Sequence, residues 1–119
     1  MKKNLILFLT LLTLFTSCNG QKTIGKSVNK LSKHLWYIFQ DTKNNYWFSS
    51  NGEGVYRYDG KKIINFTTID GLANDTIRQI QEDKFGNIFI STFRGINKYD
   101  GKTFTTLQPI KSNEWKLEP

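Results

Sequence analysis

From residue 35 onward, short apolar runs alternate with polar turns. The clearest stretch is IRQIQEDKFGNIFIST at 77–92, followed by GINKYDG at 95–101. The apolar runs there are short, and Gly or Asn-Gly punctuation returns roughly every 8–12 residues. That spacing leaves no room for helices. The runs are rich in Ile, Phe, Tyr, Trp and Thr, which suit a pleated, half-buried surface. The pattern predicts strands over 35–40, 46–49, 54–58 and 62–66, then over 77–81, 88–91, 95–99 and 103–107.

The two sets of four are copies of one unit. Ile38, Asp41, Asn45 and Ser49 are repeated 42 residues later as Ile80, Asp83, Asn87 and Ser91. Gly54, Tyr58, Asp59, Gly60 and Lys61 return 41 residues later as Gly95, Tyr99, Asp100, Gly101 and Lys102. Substituted positions keep their chemistry: Leu35 with Ile77, Trp47 with Phe89, Phe48 with Ile90, Val55 with Ile96 and Arg57 with Lys98. A period near 42 with four short strands is the length of a propeller blade. The expected architecture is all-β, two four-stranded antiparallel blades behind an N-terminal signal and anchor, and thus an incomplete propeller. Its segments are a signal peptide (1–17), a lipidated Cys with a polar tether (18–33), a first blade (34–68), a connector (69–76), a second blade (77–108) and a tail (109–119). The tail, with Trp115 but no finished unit, reads as the start of a further blade. Two blades alone leave two faces uncovered, so self-association is one route to a complete propeller.

Turn chemistry supports the strands. Asp59-Gly60 and Asp100-Gly101 are hairpin signals, because both turn positions tolerate φ > 0. Gly86-Asn87 serves the second copy, and Asn44-Asn45 replaces it in the first. Asp41 and Asp83 stand beside these turns, where their carboxylates are expected to accept from turn amides. A calcium loop needs several acidic ligands close together, so no metal is assigned to them. No other cofactor is implied.

The N-terminus carries an address. Lys2 and Lys3 precede an apolar run from Leu5 to Phe15 that is too short to span a bilayer, which takes about 20 apolar residues. It reads as a secretory signal. Phe15-Thr16-Ser17-Cys18 resembles a bacterial lipobox, and Cys18 is the sole cysteine. The resemblance implies a diacylglyceryl group on Cys18, enough for stable membrane attachment. No acidic cluster follows Cys18; in lipoproteins of the Bacteroidetes type such a cluster favours display outside the cell. The expected place is the bacterial envelope, facing the periplasm. Without Lys2 and Lys3 the 17 Lys and Arg fall to 15 against 10 Asp and Glu, a net charge of +5. These cations are scattered rather than gathered on one face, which argues against nucleic acid.

The spaced set IQEDKFGNIFIST–GINKYDG, with its first-copy version IFQDTKNNYWFSS–GVYRYDG, resembles the two-component regulator propeller repeat. The likeness covers roughly 35–107 and includes Asp70-Gly71-Leu72. The first copy departs from the pattern at Gln40 and Asn44. The resemblance implies propeller blades of the kind found in periplasmic parts of sensor kinases, often sensing glycan breakdown products.

The chemistry of the chain is read as non-catalytic. His34 is its one histidine, at the junction of tether and blade, and the acids fall mostly in turns. Neither a paired-carboxylate nor a nucleophile motif stands out. The expected role is a lipid-anchored binding, interaction or sensory module with a glycan or envelope-protein partner. The alternatives are an N-terminal fragment of a larger propeller sensor, or an envelope glycan-acting enzyme. Trp36, Tyr46 and Trp47 are the candidate sugar-stacking residues, although their strand spacing also suits core packing.

Overall fold

In the computed structural model, which describes residues 23–107, the chain forms two antiparallel sheets. The first holds β1 (Lys26–Val28), β2 (Leu35–Gln40), β3 (Tyr46–Ser50), β4 (Val55–Tyr58) and β5 (Ile63–Phe66), in the order β1-β5-β4-β3-β2. The second holds β6 (Ile77–Glu82), β7 (Ile88–Thr92), β8 (Gly95–Tyr99) and β9 (Phe104–Thr106), in chain order. A 3₁₀ turn, Thr68–Asp70, lies between the sheets. All eight predicted strands are present, with ends displaced by a residue or two. Among the described residues there is no α-helix.

The stretch expected as a polar tether is corrected in part. Its residues Lys26–Val28 form β1, which pairs with β5 through Lys26↔Asn65, Ser27↔Ile64 and Val28↔Ile63. The physical reason is the bare edge of β5, whose unpaired backbone groups bind an added strand. The backbone amide of Gly25 donates to Asp70 Oδ1 at 2.7 Å and fixes the approach. A three-residue strand with one apolar side chain has no period to read. The signal segment, Cys18, the first tether residues and the tail lie outside the described residues.

Both copies turn their first corner on an aspartate. Asp83 accepts from the amides of Phe85 and Asn87 and from the Asn87 side chain, each at 2.9 Å. Asp41 accepts from the amides of Lys43 and Asn45 at 2.9 Å and from Asn45 Nδ2 at 3.1 Å. Trp47 Nε1 adds a further bond to Asp41 at 2.9 Å. The left-handed turn position is Gly86 (φ 87°) in one copy and Asn44 (φ 66°) in the other, as the sequence required. Asp59 and Asp100 repeat the device at the hairpins, each accepting from two successive amides.

The strand register sorts each sheet into two faces. Cross-strand partners Trp47↔Arg57 and Val55↔Phe66 lie on the face of sheet one turned toward sheet two. Ile80↔Ile90 and Ile88↔Tyr99 lie on the face of sheet two turned toward sheet one. These residues, with Leu72 from the connector, form one hydrophobic cluster shared by both sheets. Trp47 packs at 5.5 Å from Tyr99 and 6.0 Å from Phe66, ring to ring. Each such buried apolar side chain contributes about 1.5–3 kcal/mol. The sheets therefore stack as consecutive blades.

Candidate functional site: the seam between the inner strands

The inner strands of the two sheets, β2 and β6, meet at Trp36. Its Nε1 donates to the carbonyl of Ile77 at 2.6 Å, yet the residue is 53% exposed. Half a ring pinned by its nitrogen leaves the rest of the indole free as a flat surface. Trp36, Tyr37, Arg78 and Phe93 together line a shallow cavity of about 280 Å³. Phe93 is 61% exposed, and the Arg78 guanidinium lies 5.6 Å from its ring centre. A hollow of about 530 Å³ continues from it onto the outer face of the second blade, past Gln79, Ser91, Thr92, Gly95 and Ile96, and is not part of the aromatic cluster. Aromatic planes beside a guanidinium can stack on a sugar ring and hydrogen-bond its edge.

On the opposite rim, Arg57 bridges the blades. Its guanidinium donates to the Tyr99 hydroxyl at 2.9 Å and stands 5.3–5.8 Å from the rings of Phe66, Trp47 and Tyr99. A cleft of about 560 Å³ opens there, lined by Thr23, Ile24, Arg57, Tyr99, Gly101, Lys102 and Thr103. Its cations already have tasks in packing or lie at the turn, so Trp36, Tyr37, Arg78 and Phe93 form the more exposed cluster.

The sequence-predicted aromatics divide. Trp36 belongs to the exposed cluster. Trp47 is 1% exposed and held by Asp41, so it is a core residue and not a ligand platform. Tyr46 is 40% exposed but sits on the far face of sheet one, away from Trp36. Sequence reading missed Tyr37, Arg78 and Phe93. Arg78 occupies the repeat position of Trp36, and that exchange of an aromatic for a cation was the available signal.

The turn carboxylates are fully employed. Burial is the largest influence on Asp41 and opposes its ionisation, but bonds from Trp47, Asn45 and Lys43 together outweigh it and lower its pKa. The Asn87 side chain lowers that of Asp83, and turn amides, Lys62 and Thr103 foremost, lower those of Asp59 and Asp100. Among the described residues no group of three His, Cys, Asp or Glu could hold a metal ion. No helix among them is long and apolar enough to cross a membrane.

Residues 71–94, from the connector glycine through β6 and β7, match the family model described as two component regulator propeller. The chain carries a two component regulator propeller repeat. The match contains the Asp83 corner and two strands of the second blade. A stretch of 40 residues is 45% identical to a protein named Histidine kinase P4 from Formosa agariphila. That stretch is 34% of this chain and 3% of the relative, so the chain corresponds to a small part of that protein. No solved structure matches the chain.

Proposed function

We propose that this propeller-repeat chain is a non-catalytic recognition module of the bacterial envelope, held to the membrane by a lipid on Cys18 and facing the periplasm. The observation that carries the reading is the exposed cluster of Trp36, Tyr37 and Phe93 with Arg78 at the junction of two blades. An apolar plane kept half in water, with its nitrogen already satisfied, suits a polyhydroxylated ring. The likeness to a stretch of a histidine kinase supports a place in sensing, as a part of a larger sensor or a companion to one. The partner class is an envelope glycan or its fragments.

Titration calorimetry of the full chain against envelope oligosaccharides tests the recognition role. Binding to one class, weakened roughly tenfold in Trp36→Ala and in Phe93→Ala, supports it. Binding unchanged in both variants, or none to any sugar, contradicts it. The anchor is tested separately: Cys18→Ser should abolish incorporation of a fatty-acid label and move the chain out of the membrane fraction. Label retained by the variant rules the lipid assignment out.

A further inference from the structure

The two outer faces of the blade pair repeat the two faces that meet inside it. The register puts Ile38, Tyr46, Phe48 and Tyr58 on the outer face of the first blade. Their repeat counterparts on the second blade are Ile80, Ile88, Ile90 and Tyr99, which are buried against the first. The outer face of the second blade carries Phe89, Ile96 and Lys98. Their counterparts Trp47, Val55 and Arg57 form the first blade's side of the internal seam. Ile38 is 60% exposed and Ile96 43%, so both faces present apolar side chains to water.

The polar contacts are repeated as well. Inside the pair, Arg57 reaches the Tyr99 hydroxyl, which itself donates to the Gly101 carbonyl at 3.0 Å. On the outer face, Tyr58 is poised the same way and donates to the Gly60 carbonyl at 3.0 Å. Lys98 stands at the Arg57 position. Trp36 donates to the Ile77 carbonyl at 2.6 Å, and Arg78 stands at its repeat position on the second blade.

We infer that the outer face of the second blade docks on the outer face of the first blade of another copy of this chain, head to tail, with Lys98 of one copy against Tyr58 of the next. Such a heterologous contact makes a ring when the rotation closes. Propellers have 4–8 blades, so the ring holds about two to four copies. The second copy is the occupant because both halves of the contact stand on this chain, in the register that the internal seam already uses. A further blade of a longer chain would use the same faces and is an outcome of the test.

The test uses the full chain carrying Cys18→Ser, kept in mild detergent and weighed by native mass spectrometry. The expected mass is one fixed small multiple of the 13.9 kDa chain. Lys98→Glu should weaken association roughly tenfold, and Ile96→Glu should do the same, with circular dichroism of both unchanged. In a second measurement, chains carrying Tyr58→Cys and chains carrying Lys98→Cys are treated with a short bis-maleimide. Cross-linked dimers should form in the mixture and not with either variant alone. A monomer at all concentrations overturns the proposal and leaves the faces to blades of a longer chain. Equal cross-linking by Tyr58→Cys alone also overturns it, because that contact would be symmetric.

Discussion

The indole nitrogen of Trp47 donates to Oδ2 of Asp41 across 2.9 Å, so the corner of the first blade is tied to the core shared by both. Phe89, at the same place in the second copy, has no donor, and Asp83 holds only its turn. Asp41→Asn should therefore cost about 2–3 kcal/mol, the penalty of leaving buried donors without an acceptor. Asp83→Asn should lower the melting temperature by less. Denaturant unfolding of the two variants checks the order; equal losses would mean the indole bond adds nothing.

Acid sensitivity follows from the same corners. Asp41, Asp59, Asp83 and Asp100 all have folded pKa values below the ordinary carboxylate value. A lowered folded pKa gives stability that is present above the unfolded value, about 3.9, and lost as the pH falls through the folded one. The melting temperature should hold to roughly pH 4 and fall below it. Melts followed by circular dichroism from pH 7 to pH 2 test this, and a flatter acid limb is expected in Asp41→Asn.

One repeat position should answer very differently in the two copies. A Cβ at Gly54 would land on the backbone carbonyl of Phe66, and its φ is 82°. A Cβ at Gly95 would rest 3.5 Å from that of Ala73, an ordinary contact. Gly54→Ala should thus cost about 3 kcal/mol or more, from backbone displacement added to left-handed strain. Gly95→Ala should cost less, about 1–3 kcal/mol, from its φ of 152° alone. Thermal melts of both variants decide; the reverse order would contradict the packing at β5.

Asp70 joins the connector to the N-terminal strand. One oxygen accepts from the amide of Gly25 at 2.7 Å and the other from that of Thr67 at 2.9 Å. Asp70→Ala should loosen β1 from β5 and raise amide exchange at Ser27 and Val28 roughly tenfold, in line with about 1–2 kcal/mol for a lost cap. Exchange in β7 should change less. Unaltered exchange at Ser27 would show that strand pairing alone holds β1.

Most of the architecture was legible because each blade is written twice. A turn residue such as Asn44 is ambiguous alone, but its alignment with Gly86 fixes its left-handed role. The β1 strand was not legible: Lys26, Ser27 and Val28 join a sheet because β5 offers an edge, a tertiary cause with no local period. The aromatics show the same limit. Trp36 and Trp47 both lie in strands, and composition cannot say which is buried. The decision rests on register, which turns Trp47 toward the second blade and leaves Trp36 at the inner seam. Phe93 and Arg78 were invisible as a pair because only the meeting of β6 with the loop after β7 joins them.

The most direct test of the account is whether the two blades share one core. Native-state hydrogen exchange of the full chain would compare the slowest amides of β3 with those of β7. Trp47, Phe66, Ile90 and Tyr99 belong to one cluster, so the two strands should open with the same free energy, and Ile90→Ala should lower both together. A β7 that opens while β3 stays protected would mean two independent sheets, and the seam and its recognition surface would fall with that result.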